Sequence, residues 1–180
     1  MKVWRVVGFD DSFKGEVAYI VGCITAGTYV EGFLIDRIEV DGFDVTEKVV
    51  DLINSSKFKI QLKCIMLSGI TFAGFNIADV YEIYRRTGIP VVVVMKKMPN
   101  FKDIEMALRN LSSFERRMEI IRRAGDVHRI EDLFIQICGC DIDFARNILS
   151  ISRSKGKIPE ALRIAHLVAS ALIHKESKRH

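Results

Sequence analysis

The stretch "IPVVVVM", Ile89 to Met95, constrains this chain more than any other. Successive strand residues point to opposite faces. Four consecutive valines therefore make both faces apolar, and both must be covered. Strands of that kind belong to parallel sheets sandwiched between helices. Pro90 stands near the start of the run, where a missing N–H is tolerated. Such a strand needs two apolar layers around it. With 49% of its 180 residues apolar, the chain has enough for one domain with a small appendage.

The flanking segments supply those layers. Val3 to Phe9 reads as another strand apolar on both faces. Val17 to Thr25, "VAYIVGCIT", follows across a short link containing Gly15, as in a hairpin. Val30 to Val40, "VEGFLIDRIEV", is a third strand whose imperfect alternation leaves one face partly wet. The apolar period then changes from two to the helical value, with Val45, Val49, Val50 and Ile53 on one face. Cys64 to Leu67 is a short strand, and Ala73 to Arg86 a helix closing at Gly88. After the valine run, Asn100 caps a helix with Asp103 at its third position. Ser112 and Glu115 form a capping box for another helix, which carries a Leu111, Phe114, Met118 and Ile121 stripe and ends at Gly125. The last third reads as helical: Asp141 caps one helix, "RSKGK" is a basic loop, and Pro159 opens a helix to about His174. This order predicts an α/β protein of ribonuclease H-like type. Its mixed sheet has five strands, three antiparallel and then parallel ones, flanked by helices over residues 1–125. A helical extension over 126–180 packs on it.

Charge and cysteine usage narrow the function classes. The net charge of +4 tolerates an anionic partner such as DNA or RNA without demanding one. No apolar run approaches the roughly 18 residues of a membrane span. "MKVWRVVGFDD" lacks a signal-peptide layout, so a cytoplasmic protein with no membrane partner is expected. The four cysteines contain no CxxC pair and read as reduced thiols rather than a zinc site.

Acidic residues fall where the predicted strands end. Asp10 and Asp11 close the first strand; Asp41 and Asp44 lie in "VDGFDVTE"; the next strand ends at Ser68 and Gly69 without an acid. If these ends converge, Asp10 and Asp44 face one cleft, with Asp11 beside them. Two carboxylates about 4 Å apart repel by about 1 kcal/mol in water and about 4 kcal/mol at an effective dielectric near 20. A cation relieves that repulsion, and oxygen donors favour Mg²⁺ or Mn²⁺. Each acid also has a local alternative. Asp44 with Glu47 makes a capping box, Asp41-Gly42 makes a turn, and Asp11-Ser12 suits a hairpin connection. Asp10 resists that reduction, because it is in phase with Trp4, Val6 and Gly8. Lys96 and Lys97 leave the valine strand at the same end of the sheet and are candidates for phosphate contact. Phe75 and Asn76, in "TFAGFN", are candidates for a cleft wall. Arg116 and Arg123 read as a solvated helix face, and His166, three residues after Arg163, as a half-buried structural histidine.

Taken together, "GFDDS", "VDGFDVTE", "SGITFAGFN", "GIPVVVV" and "IPEALRIAH" resemble the archaeal family called domain of unknown function ninety-nine. That family is in turn similar to endonuclease V, a ribonuclease H-like enzyme that cuts nucleic acid with magnesium. The resemblance implies a Mg²⁺-dependent phosphodiester hydrolase. Asp10 matches the first-strand aspartate, Ser68 falls on a "DG" aspartate, and Ile89, Pro90 and Lys96 match a later strand and lysine. Asp44 falls near a glutamate that precedes the first helix. Serine brings no charge at position 68, which implies a weak or degenerate metal site. No strand-separating loop is found between Tyr29 and Asp44. The alternative is a non-enzymatic module, in which the acids cap and turn while the last third binds a protein partner or a second copy of the chain.

Overall fold

A computed structural model describes residues 3–178. The chain opens with a meander of β1 (Arg5–Lys14), β2 (Val17–Ala26) and β3 (Tyr29–Ile38). The first hairpin turns at Gly15, whose φ of 59° lies in the left-handed region that glycine enters without strain. Helix α1 (Val45–Asn54) then crosses to β4 (Leu62–Ser68). A small hairpin, β5 (Thr71–Phe72) and β6 (Asn76–Ile77), leads into α2 (Val80–Thr87) and β7 (Val91–Met95). Next come α3 (Phe101–Leu108), α4 (Phe114–Arg123), β8 (His128–Ile130), β9 (Leu133–Cys138), α5 (Ile142–Ser152) and α6 (Glu160–His174).

The main sheet has seven strands in the order β3-β2-β1-β4-β7-β9-β8. β1, β4 and β7 are mutually parallel, and the other pairings are antiparallel. As the valine run requires, β7 is covered on both sides. Val91 and Val93 pack with Val49 of α1 and Ile83 of α2, whereas Val92 and Val94 pack with Ile148 of α5 and Leu162 of α6. Each such side chain, fully buried, contributes about 1.5–3 kcal/mol. The fold is thus the ribonuclease H-like one expected, with helices on both faces.

Three local expectations change. The last third is not helical throughout: β8 and β9 extend the sheet from five strands to seven, and β9 pairs with β7 beyond residue 125. The helix expected from Ala73 starts only at Val80, because Asp79 caps it by accepting from the Glu82 amide at 3.1 Å. The segment before it is the β5–β6 hairpin. The two capping boxes also fail to form. Neither Asp44 nor Ser113, the residues preceding α1 and α4, caps with its side chain. Glu47 pairs with Arg86 instead, and the Ser112 carbonyl accepts from Arg117 Nε at 3.1 Å. Asn100 and Asp141 do cap α3 and α5 as expected.

Candidate active-site cleft

Asp10 lies inside β1 rather than at its end, but at the point where β1 loses its parallel neighbour. The β1–β4 ladder stops at Phe9 and Leu67, and Ser68 is the last β4 residue paired with β7. Beyond that level β1 continues as an arm paired only with β2. A crevice therefore opens at the carboxyl ends of the parallel strands, the usual ligand position in such sheets.

α6 closes one side of the crevice. Gly8 allows its approach: a Cβ there would lie 2.7 Å from the Ala161 carbonyl carbon. With the helix this close, one turn further on, His166 reaches Asp10. Its Nδ1 is 3.1 Å from Asp10 Oδ2, while Asp10 Oδ1 accepts from the Asp11 amide at 2.8 Å. Asp10 is 8% exposed. The hydrogen bond to Asp10 raises the His166 pKa above its ordinary value, against burial and the nearby Lys96 charge, which lower it. The cleft has a volume of about 530 Å³. Asp10, Ser68, Lys96, Lys97 and His166 are its polar lining, and Val94, Met95, Ile158 and Leu162 its apolar lining. It combines one buried carboxylate, one imidazole, one hydroxyl and two lysines, a set suited to an anionic ligand.

The other acids are used elsewhere. Neighbours in a strand face opposite ways, so Asp11 points to the far side of the sheet, where Oδ2 accepts from the Ala73 amide at 2.7 Å. Burial pushes its pKa up to about 6, with the Asp10 charge adding to the shift. Asp41 Oδ1 accepts from the Phe75 amide at 2.8 Å, and the Asp41 amide donates to the Ala73 carbonyl at 2.9 Å. Asp44 Oδ1 accepts from the Glu39 amide at 3.1 Å and from Asn76 Nδ2 at 2.6 Å. Asn76 is fully buried; its Oδ1 accepts from the Val45 amide and its Nδ2 also donates to the Glu39 carbonyl. Asp11, Asp41 and Asp44 thus converge on the β5–β6 hairpin. Asp44 does not line the cleft of Asp10, and neither do Phe75 or Asn76. Phe75 packs half-buried against the core of that face.

Arg117 completes the clamp and was not singled out from the sequence. It is 2% exposed and donates to the carbonyls of Asp41, Gly42, Phe75 and Ser112. Its guanidinium, like that of Arg116, stacks 4.1 Å from the Phe43 ring centre. Arg123, expected to be solvated, pairs with Asp79. His166, expected to be a half-buried structural histidine, instead borders the cleft. Only the packing of α6 on β1 brings it to a carboxylate 156 residues away.

Among the described residues, no group of three or more His, Cys, Asp or Glu is placed to hold a metal. The donor set therefore does not fit a pair of ions. A single hard cation that keeps most of its waters needs only one or two carboxylates. Asp10 is the carboxylate in the cleft that could hold one, and Ser68 lines the same cleft.

Fold and site together define a ribonuclease H-like α/β protein with an acid–histidine–lysine cleft at its parallel strand ends. Comparison with known proteins narrows this. A family profile described as endonuclease dU matches residues 2–173, and the chain belongs to that family. It is 48% identical over 178 residues to a UPF0215 protein of Archaeoglobus fulgidus, covering 99% of this chain and 98% of the relative. A crystal structure of a protein of unknown function from Archaeoglobus fulgidus matches with a TM-score of 0.93 at 48% identity, covering 95% of this chain and 99% of that one. The endonuclease V of Ciona intestinalis, solved with DNA containing an inosine followed by a ribo-adenosine, matches with a TM-score of 0.65 at 13% identity, over 97% and 87% of the two chains. Human endonuclease V gives 0.65 at 15% identity, over 96% and 85%. These last two likenesses establish the endonuclease V fold. No helix among the described residues is long and apolar enough to cross a membrane.

Proposed function

We propose that this protein is a cytoplasmic endonuclease that hydrolyses phosphodiesters in DNA at or near deoxyuridine, with one Mg²⁺ or Mn²⁺ held by Asp10 and Ser68. The observation that carries the reading is the buried Asp10–His166 contact, open to a cleft that also presents Lys96 and Lys97. The family's description supplies the base, and the DNA-bound structural relative supports a nucleic-acid ligand.

Each side chain then has a role. Lys96 and Lys97 attract the phosphate backbone and orient the scissile group. Asp10 fixes the His166 ring through Nδ1, so the imidazole presents a fixed face to the cleft and holds its proton at that nitrogen. The apolar lining of Val94, Met95, Ile158 and Leu162 limits water in the cleft. When bound, the divalent ion supplies positive charge for the phosphate oxygens and a more acidic water.

The test is cleavage of end-labelled DNA carrying a single deoxyuridine, a single inosine or neither, with Mg²⁺, with Mn²⁺ and with chelator, by wild type and Asp10→Ala. Deoxyuridine-dependent cuts that vanish with Asp10→Ala support the reading. Cuts surviving that substitution, or no cutting of any substrate by the wild type, would remove it.

A further inference from the structure

Beyond the cleft, β1 and α6 continue side by side. α6 follows the direction of β1: Ala161 packs at Gly8, and His166 reaches Asp10. Side chains alternate across a strand, so Ser12 and Lys14 lie on the same face as Asp10. Lys14, the last residue of β1, stands about 14 Å from Asp10 along the strand, at about 3.4 Å per residue. His174, the last residue of α6, stands about 12 Å from His166 along the helix, at about 1.5 Å per residue. The ends of both elements therefore lie at a similar distance from the cleft.

The C-terminal tail joins them. Lys175 takes the left-handed conformation, with φ of 62°, and the chain turns back on α6. Ser177 Oγ donates to the Leu167 carbonyl at 2.9 Å, and the Lys178 amide donates to Ser170 Oγ at 2.9 Å. The Lys178 backbone is thereby pinned one helical turn past His166. The His174 pKa lies below its ordinary value, first through loss of hydration and then through the positive charges of Lys178 and Lys14, so both ammonium groups act on one imidazole. Both lysines are exposed, and neither forms an ion pair among the described residues. Of the acids on the hairpin and tail, Glu16 opens on the other face of the sheet, beside Ala18, Arg37 and Lys48. That leaves Glu176 against Lys14, Lys175 and Lys178.

We infer that Lys14, His174 and Lys178 bind a second phosphate of the DNA strand whose scissile phosphate lies in the cleft. This rests on the nuclease reading and extends it to how the strand is held. A group of cations with little counter-charge suits a phosphate, and such contacts fix register without reading sequence. The 12–14 Å from the cleft corresponds to about four nucleotides of a strand at about 3.4 Å each. The ligand is therefore a polyanion long enough to reach both places, which a free phosphate or a mononucleotide is not.

The probe is a fluorescein-labelled single-stranded oligodeoxynucleotide with one central deoxyuridine, measured by anisotropy with the full chain in chelator at several salt concentrations. Lys14→Gln and Lys178→Gln should each lower the slope of log affinity against log salt by about 0.7, the value for one phosphate contact on a single strand. Lys14→Arg, which keeps the charge, should restore the wild-type slope. In cleavage the loss should appear in KM rather than kcat. Shortening the probe to two nucleotides on one side of the deoxyuridine should erase the difference between wild type and the variant carrying both substitutions, whereas shortening the other side should preserve it. A wild-type slope in that double variant, with wild-type cleavage intact, would overturn the second phosphate site and leave the nuclease standing. A difference that survives shortening on either side would also overturn it, because the lysines would then act as a diffuse field. Absence of both oligonucleotide binding and cleavage by the wild type would overturn the site and the nuclease together.

Discussion

Asp10 and Asp11 are neighbours in one strand, yet they belong to opposite regions of the molecule. On the α6 side, Asp10 takes one backbone amide and one imidazole and still borders an open cleft. On the α1 side, Asp11, Asp41 and Asp44 each accept backbone or amide N–H groups that hold the β5–β6 hairpin, with Arg117 over the top. Residue type is the same in both regions; what differs is the partner. A carboxylate satisfied by local amides acts as a fastener, and one that keeps access to a solvent cavity beside a histidine and lysines is available for chemistry. The strand's alternation, one residue in each direction, separates the two roles.

Asp10→Ala tests this contrast most strongly. It should reduce cleavage of deoxyuridine-containing DNA by about 10³- to 10⁴-fold, the upper part of the range for general acid–base catalysis, because the group that orients His166 is lost, while thermal unfolding changes little. A large loss of stability with modest loss of rate would make Asp10 a fastener like the others. Calorimetric titration with Mn²⁺ sharpens the point. The wild type should bind one ion and Asp10→Ala none, whereas Asp44→Ala should bind as the wild type does. Two ions in the wild type would contradict the single-carboxylate cleft.

Arg117→Met tests the other region. Four backbone carbonyls lose a donor in a buried place, and leaving acceptors unsatisfied costs about 1–3 kcal/mol each when they cannot reach water. A loss of about 3 kcal/mol in denaturant unfolding is expected, with cleavage retained at temperatures where the variant stays folded. If cleavage disappears in the folded variant, the hairpin is part of the site and the two regions are not separate.

Gly8→Ala bridges the two readouts. Its methyl would press on the Ala161 backbone and force α6 outward. Overpacking of this kind costs about 1–3 kcal/mol, and here the displacement acts through the helix that carries His166. Stability should fall by about 2 kcal/mol, and cleavage should fall with it even at low temperature. Unchanged cleavage in the folded variant would show that His166 does not need its present distance from Asp10.

Much of this fold could be read in advance, and the exceptions have physical causes. The valine run and the middles of β1 and β2 specify their positions because burial on two faces leaves no polar alternative, and β3 follows from its short link to β2. The β8–β9 hairpin escaped because its tight turn has neither glycine nor proline. Glu131 takes the left-handed conformation instead, with φ of 52°. Gln136 breaks the apolar pattern of β9, although it is 1% exposed and donates to the Gly125 carbonyl at 3.0 Å. In the site, Asp10 was legible from its phase within an apolar strand. His166 was not, since a histidine at the edge of a helix's apolar face says nothing about which strand that helix will meet. The "IPEALRIAH" segment held the clue: a small residue, Ala161, one turn before the histidine lets the helix approach a glycine. Asp44 and Asn76 misled because their polar letters sit at element ends, where capping, metal binding and loop fastening use the same residue types.

The smallest expected effect separates charge from geometry in the hairpin clamp. Asp41 has φ of 53°, a conformation that asparagine tolerates better than most residues. Asp41→Asn therefore keeps the backbone shape and the oxygen that accepts from the Phe75 amide, and removes only the negative charge. A charge-assisted hydrogen bond is about twice as strong as a neutral one, so stability should fall by about 1 kcal/mol, with no change in cleavage or metal binding. Asp41→Ala, which loses the acceptor and strains the turn, should fall further. If Asp41→Asn instead weakens Mn²⁺ binding, the fields of the two faces are coupled through the sheet, and the acids around the hairpin help to set the charge that Asp10 presents to the cleft.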